Sequence, residues 1–281
     1  MPHRIPLVFA HGNGIPRPVY QKLLIGLSHR FIPTGIDRFG HDPAYPVTDA
    51  WPRLLDQLRN HVAALGQPVV LLGHGCGGWL SLLTAYRAPE RVRAVILLDA
   101  ALPTVAQART FELLKRVGLG RLPATFGAGA DQSGDDIDPE CRALFRRFGS
   151  TTETARAETR RFDAAVARRI HETCPTALAG LVAGGPPVDG SGRVVPCGAM
   201  IGERSRLSRL IGLAATRRLV GEHLARIEGS HQFPLERPLV AAKEIVHLHD
   251  RMVGAGTAPA EFGLQPLQRV RSRAFWQPVG Q

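Results

Sequence analysis

Short apolar runs alternate with longer amphipathic segments over much of this chain. Four runs rich in aliphatic residues predict buried strands: 5–10, 32–37, 68–73 and 92–100. Three intervening segments carry apolar residues at helical spacing: 19–31, 48–66 and 76–89. Strands that alternate with helices predict the α/β class, with a mostly parallel sheet and helices packed on its faces.

The ends of the second helical segment follow common capping preferences. Thr48 or Asp49 is expected to cap its N-terminus, and Pro52 falls in the first turn, where proline is tolerated. Gly66 is expected to end the helix.

The alternation breaks between residues 101 and 193, and this block is predicted to be an inserted helical cap. Three segments within the block read as helices: 104–118, 138–149 and 151–183. Strands are predicted again at 195–202 and 224–231, followed by a closing amphipathic helix at 238–253. The predicted core therefore comprises 1–100 and 194–253, and residues 254–281 are expected to form a C-terminal tail.

The composition fits a globular protein, and no cofactor is expected. Hydrophobic residues make up 44% of 281, and no apolar run approaches the ~18 residues of a membrane span. The N-terminus lacks the pattern of a signal peptide, so a cytoplasmic location is expected. The four cysteines show no CxxC pairing, so neither a disulfide framework nor a metal site is expected.

A net charge of +11 raises the question of nucleic-acid binding. Only three of the 35 basic residues are lysine, and the arginines are spread along the chain without interleaved aromatic residues. This pattern indicates a general compositional bias, so no nucleic-acid partner is expected. Most arginines of the predicted cap are expected on a solvated helix face, with an anionic substrate group as the alternative for one or two.

Three motifs in order give the chain a family resemblance. They are "FAHGNG" at 9–14, "LLGHGCGG" at 71–78 and "EGSHQFPLERP" at 228–238. Over residues 5–253 the chain resembles the α/β-hydrolase family, particularly its capped bacterial lipase- and esterase-like members. In that resemblance the second motif corresponds to the nucleophile elbow, a strand–turn–helix with the pattern Gly-x-Ser-x-Gly.

Gly75 stands where this resemblance places the nucleophilic serine. The elbow turn needs small residues two positions before and after the nucleophile, and Gly73 and Gly77 meet that need. A register shifted by one residue would make Cys76 the nucleophile. That shift would place His74 at a position that requires a small residue, so the sequence favours Gly75.

The resemblance also assigns the other parts of the site. His231 stands at the catalytic histidine position, and the backbone N–H groups of Cys76 and of Gly12 or Asn13 correspond to oxyanion donors. His11 and His74 are expected to be structural.

The acid of the triad is left open between two residues. The usual acid position falls on Ser205. The candidates are therefore Asp99, at the end of the strand after the elbow, and Glu203, beside the empty position. Asp99 has a structural alternative, which is to cap the strand–loop junction.

Three functions remain open at this level, and the chain is expected to bind a small, apolar, ester-like molecule. The first is a carboxylic-ester hydrolase type whose activity is lost or reduced because the nucleophile is glycine. The second is a non-hydrolytic lyase, cyclase or cofactor-free oxygenase that uses His231 and the oxyanion pocket. The third is a catalytically silent protein that binds a ligand or a partner.

Overall fold

The computed structural model describes residues 4–116 and 164–254, within which strands and helices alternate along most of the chain. The strands are β1 (Ile5–Ala10), β2 (Phe31–Thr34), β3 (Val69–His74), β4 (Val92–Leu98), β5 (Cys197–Gly202) and β6 (Leu224–Ile227). The helices are α1 (Gln21–Leu27), α2 (Pro52–Ala64), α3 (Cys76–Arg87), α4 (Val105–Arg116), α5 (Ala164–Glu172), α6 (Leu178–Ala183), α7 (Arg206–Ile211), α8 (Ala214–Val220), α9 (Phe233–Glu236) and α10 (Pro238–Gly254). Short 3-10 helices lie at Arg17–Tyr20 and Pro89–Arg91.

The six strands form one sheet in the order β2-β1-β3-β4-β5-β6. Every adjacent pair in this sheet is parallel, as when Leu7 of β1 aligns with Val70 of β3. Parallel strands require crossover connections, which the intervening helices provide. The predicted fold class is therefore confirmed.

Both faces of the sheet are covered, which explains why its strands are apolar throughout. On β1, Val8 and Ala10 face the core that includes residues of α2 and α3, whereas Leu7 and Phe9 face the core that includes residues of α1 and α10. Because successive side chains of a strand point to opposite faces, a sheet buried on both sides needs apolar residues at every position.

The loops that follow the strands meet at one edge of the sheet. The strands run parallel, so the segments after β1, β3, β4, β5 and β6 all leave from their carboxyl ends. Ligands of open α/β sheets bind at this edge. The three sequence motifs therefore converge there.

The start of α2 differs from the prediction. The helix begins at Pro52, and its N-cap is Trp51 with φ 59°, so neither Thr48 nor Asp49 provides the cap. The Trp51 indole donates to the carbonyl oxygen of Ile170 in α5 (2.9 Å). The contact with α5, more than 100 residues later, helps fix the entry to this helix.

Other predicted boundaries are also corrected. Within the described part of segment 151–183, two helices (α5 and α6) replace one, and Pro175 lies between them. The strand predicted at 92–100 ends at Leu98, and the strand predicted at 224–231 ends at Ile227. The short helices α7 and α8 were not predicted, because each is too brief to show a period.

Several predictions concern residues that are not described. The helix predicted at 138–149 lies outside the described residues, as do residues 255–281 of the expected tail. The division into core, cap and tail stays a prediction. Within 4–116 and 164–254, no helix combines the length and apolar character needed to cross a bilayer.

Candidate active site

Gly75 occupies a tight turn between β3 and α3. Its backbone has φ 51° and ψ −118°, a conformation that L-residues rarely adopt, and its N–H donates to the carbonyl oxygen of Leu98 (3.0 Å). A Cβ at Gly73 would collide with the carbonyl oxygen of Gly77, and one at Gly77 would collide with the carbonyl oxygen of Ala10. The close packing of these backbones explains the two flanking glycines.

The open direction at Gly75 points toward His231. A Cβ placed on Gly75 would lie 3.4 Å from both Cε1 and Nε2 of the His231 ring, at ordinary van der Waals distance. The structure therefore brings together the two positions that the sequence resemblance assigned to nucleophile and base, although they are far apart in sequence.

Asp99 contacts the other side of the His231 ring. Nδ1 of His231 lies 2.7 Å from Oδ2 of Asp99, whose side chain is fully buried. A carboxylate accepts hydrogen bonds, so the proton of the neutral imidazole is on Nδ1 and the lone pair is on Nε2. The lone pair faces the direction in which a side chain at position 75 would project.

Two further donors hold the Asp99 carboxylate. The Gly202 N–H donates to Oδ1 (2.9 Å), and the Ser205 hydroxyl donates to Oδ2 (2.6 Å). Asp99 itself has φ 43°, a conformation that costs roughly 1–3 kcal/mol in a non-glycine residue. The surrounding hydrogen bonds offset that strain and the burial of the charge.

Of the two acid candidates, the structure places Asp99 against His231. The side chain of Glu203 is exposed and its backbone N–H donates to the carbonyl oxygen of Ile227. Ser205, to which the sequence resemblance assigned the usual acid position, has no carboxylate and instead donates its hydroxyl to Asp99. No sequence pattern predicted that contact.

A buried chain of hydrogen bonds runs behind the site. The carbonyl oxygen of His231 accepts from Nε2 of His74 (2.9 Å), so Nδ1 of His74 accepts from the Tyr20 hydroxyl (2.7 Å). The Tyr20 oxygen in turn accepts from the Gly12 N–H (3.3 Å). Through these contacts the loop after β1 and the loop after β6 are joined.

Burial lowers the pKa of two histidines beside the site. Desolvation, with repulsion from His231 as the next cause, lowers the pKa of His74 to about 3. Desolvation also lowers the pKa of His11 to about 4. Nδ1 of His11 bonds to the Gly12 carbonyl oxygen (2.7 Å) and its Nε2 accepts from the Phe39 N–H (3.0 Å), so His11 shapes the loop as a neutral ring.

The amides assigned as oxyanion donors have different surroundings. The Gly12 N–H is already bonded to Tyr20. The N–H groups of Gly77, Asn13 and Cys76 all lie close enough to the Cys76 sulfur to stabilise its charged form. The amides of Asn13 and Cys76, from the loop after β1 and from the start of α3, therefore lie near one another.

Cys76 lacks the environment of a nucleophile. Burial raises the pKa of its thiol to about 12, and its sulfur contacts the carbonyl oxygen of His11 (3.9 Å). The thiolate is the reactive form of cysteine, so a thiol with this pKa is unreactive near neutral pH.

The described part of the predicted cap contacts the loop after β1. The Asn13 side chain donates through Nδ2 to the carbonyl oxygen of Ala167 in α5 (2.8 Å). Arg168 and Arg169 of the same helix are exposed, as expected for a solvated face. Within the described residues, no three His, Cys, Asp or Glu side chains cluster as metal ligands.

Comparisons with known proteins show the family to which the chain belongs. Residues 7–244 match the sequence model described as "Alpha/beta hydrolase family". A protein of Mycobacterium phage D29 with the provisional name non-heme haloperoxidase is 32% identical over 106 residues. Those residues are 34% of this chain and 36% of the phage protein, so the match spans about a third of that relative.

Solved structures share the fold at low identity. An E-2-(acetamidomethylene)succinate hydrolase is 22% identical with a TM-score of 0.55, covering 88% of this chain and 91% of that one. An epoxide hydrolase from Vigna radiata is 14% identical with a TM-score of 0.66, covering 89% and 92%. A thermophilic esterase from Thermogutta terrifontis is 18% identical with a TM-score of 0.58, covering 88% and 90%.

Proposed function

Since this chain belongs to the alpha/beta hydrolase family, we propose that it carries an ester-hydrolase type of site from which the nucleophile is missing. Asp99 and His231 act as the acid–base pair, and the amides of Asn13 and Cys76 act on the substrate carbonyl. Gly75 takes the nucleophile position. Hydrolysis through an acyl-enzyme is therefore lost, and small apolar esters are the expected ligands.

One observation carries this proposal. The unprotonated nitrogen of His231 faces the side-chain direction of residue 75 at 3.4 Å, while Asp99 bonds to the opposite ring nitrogen at 2.7 Å. This is the arrangement in which a histidine takes a proton from a nucleophile at position 75.

The missing hydroxyl has a large expected cost. Removing the nucleophile of such a triad lowers turnover by on the order of 10⁶, and a residual of about 10³–10⁴ over water comes from the oxyanion donors and from binding. In the parent chain, water activated by His231 is the remaining nucleophile. The parent chain is therefore expected to hydrolyse esters slowly, in a reaction that depends on His231.

Restoring the hydroxyl tests the proposal. Gly75→Ser is assayed on p-nitrophenyl esters of graded chain length beside the parent, Gly75→Ala and Gly75→Ser/His231→Ala. We expect a gain of several orders of magnitude in Gly75→Ser alone, because a Cβ fits at this position. If a folded Gly75→Ser protein, with unchanged circular dichroism, hydrolyses no ester faster than Gly75→Ala, the proposal is wrong.

A second candidate is a lyase, cyclase or cofactor-free oxygenase that uses His231 for proton transfer. The observation that favours it is that the hydrogen bonds of Asp99 to Gly202, Ser205 and His231 form without any side chain at position 75. Deuterium exchange into aryl ketones that depends on His231, with no ester hydrolysis by Gly75→Ser, would favour this candidate. Ligand binding with neither activity would favour a silent binding protein.

A further inference from the structure

We infer that Tyr20 is a positioning residue for His231 and that it acts through His74. Its hydroxyl holds the His74 ring in the one tautomer that donates a hydrogen bond to the main-chain carbonyl oxygen of His231. The inference rests on the proposed function, because it concerns the same base. It adds a residue outside the three sequence motifs that governs where this base lies.

The direction of each hydrogen bond in this chain follows from the last one. A carbonyl oxygen only accepts, so Nε2 of His74 carries the proton in its 2.9 Å contact with the carbonyl oxygen of His231. Burial lowers the pKa of His74 to about 3, so the ring is neutral near pH 7 and its Nδ1 has no proton. Nδ1 is therefore an acceptor, and the Tyr20 hydroxyl, 2.7 Å away, is its donor.

The Tyr20 hydroxyl thereby selects between the two neutral tautomers of His74. With the hydroxyl in place, the tautomer protonated on Nε2 satisfies both ring nitrogens. Without it, Nδ1 loses its donor, and bulk water does not replace that donor because Tyr20 and His74 are 1% and 0% exposed. The tautomer protonated on Nδ1 would place two acceptors, Nε2 and the carbonyl oxygen of His231, against each other. That repulsion would displace His231.

The His74 ring contacts His231 in two ways. It donates to the carbonyl oxygen, and it stacks on the imidazole with the ring centroids 4.6 Å apart and an angle of 30° between the planes. His231 has its proton on Nδ1, toward Asp99, so the two stacked rings are in opposite tautomers. A movement of His74 therefore acts on both the main chain and the ring of His231.

Tyr20 is itself fixed by its surroundings. Its ring packs edge-on against Phe9 of β1, with centroids 4.7 Å apart, and edge-on against His74 at 5.7 Å. Its oxygen accepts from the Gly12 N–H at 3.3 Å. A Cβ on Gly12 would lie 2.9 Å from that oxygen and 2.7 Å from Nδ1 of His74, so the packing around the hydroxyl is tight. The position of the hydroxyl is therefore set by β1 and the loop that follows it.

Nitrogen NMR of protein with isotope-labelled histidine tests the inference. Near neutral pH, we expect His74 of the parent to be protonated on Nε2 and His231 on Nδ1. Tyr20→Phe should convert His74 to a mixture of tautomers and shift the Nδ1–H signal of His231. Tyr86→Phe is the matched control, because it removes a phenol hydroxyl that donates to the Gly185 carbonyl oxygen (2.5 Å) at the other end of α3. In that control both signals should stay unchanged.

A change at position 74 tests whether Tyr20 acts through the ring. A glutamine amide donates through its NH2 group without needing a particular tautomer, so His74→Gln keeps a donor for the carbonyl oxygen of His231. Tyr20→Phe should therefore shift the His231 signal in the parent and leave it nearly unchanged in the His74→Gln background. Equal shifts in the two backgrounds would overturn the inference. So would a parent protein whose His74 is protonated on Nδ1, and this readout needs no variant.

Activity in the Gly75→Ser background separates this inference from the proposed function. There, Tyr20→Phe should lower kcat on p-nitrophenyl butyrate by on the order of tenfold and leave KM nearly unchanged, because His231 is displaced from the restored hydroxyl. Tyr86→Phe should leave both unchanged. An active Gly75→Ser protein whose kcat does not respond to Tyr20→Phe overturns the inference alone. Inactive Gly75→Ser overturns the proposed function, and the tautomer measurements on the parent then still decide whether Tyr20 positions His231.

Discussion

The two sides of the site differ in how their reacting groups are held. On the elbow side, Gly75 contributes only backbone, and its turn is fixed by close packing of neighbouring glycines. On the base side, Asp99 and His231 are held by hydrogen bonds from Gly202, Ser205 and His74. None of the base-side hydrogen bonds involves a side chain at position 75. The comparison teaches that the contact between Asp99 and His231 keeps its geometry without a side chain at position 75.

The largest expected effect on stability is on the base side. Asp99→Ala leaves the Gly202 N–H, the Ser205 hydroxyl and Nδ1 of His231 without their acceptor, and each unsatisfied donor costs about 1–3 kcal/mol. Because water reaches His231, we expect a total loss of about 2–4 kcal/mol in urea unfolding. Glu203→Ala is the control, and its exposed side chain should change stability by less than about 0.5 kcal/mol. Equal effects would contradict the assignment of Asp99.

An effect of intermediate size is expected on the pH dependence of folding stability, and its source is His74. His74 has a folded pKa of about 3 against 6.5 when unfolded, so below pH 6.5 the unfolded chain binds a proton that the folded chain does not. Its contribution is complete above pH 6.5 and is lost as the pH falls toward 3. Between pH 7 and 5 we expect His74 to account for about 2 kcal/mol of lost stability. His74→Gln should lose correspondingly less over that interval in urea titrations, and identical losses in both proteins would contradict burial of a neutral ring.

A smaller effect tests the backbone of the elbow. Gly75→Ala places a methyl group where space exists, so its cost is the strain at φ 51°, about 1–3 kcal/mol. Gly180→Ala is the matched control, because Gly180 lies in α6 with nothing within 4 Å of its Cβ direction and no positive φ. That control should gain about 0.5–1 kcal/mol in thermal unfolding. Gains at both positions would show that the elbow is unstrained.

The smallest expected effect concerns Ser205. Ser205→Ala removes the hydroxyl that donates to Asp99 at 2.6 Å and that caps α7 by accepting from the Ser208 N–H. We expect a loss of about 1–2 kcal/mol. Ser191 donates to Asp189 over the same distance but at an exposed position, so Ser191→Ala should cost less than Ser205→Ala. The reverse order would mean that the base side is not stabilised by burial of its hydrogen bonds.

The sequence predicted the parts of the fold that depend on local pattern. The strands at Ile5–Ala10 and Val69–His74 are continuous apolar runs, and the glycines around position 75 mark the elbow. Position 75 and His231 were assigned through the resemblance of their motifs to the α/β-hydrolase family, and Asp99 was one of two candidate acids. These features are visible because the residues that cause them are neighbours in the chain.

The remaining features depend on contacts between distant segments. His74 contacts Tyr20 across 54 residues and His231 across 157, and no local pattern reports such pairs. The cap of α2 was predicted wrongly because Trp51 anchors to α5, 119 residues later, in place of a side-chain cap. Tertiary contacts of this kind override capping preferences.

The position of Asp99, directly after β4, has a practical consequence for modifying the protein. Asp99 directly follows β4, the strand next to the elbow strand, and the turn at 212–213 between α7 and α8 takes no part in the described hydrogen bonds of Gly75, Asp99 or His231. Gly212 also has open surroundings. A fluorophore or an affinity peptide inserted there is expected to leave the hydrogen bonds of Asp99 and His231 intact.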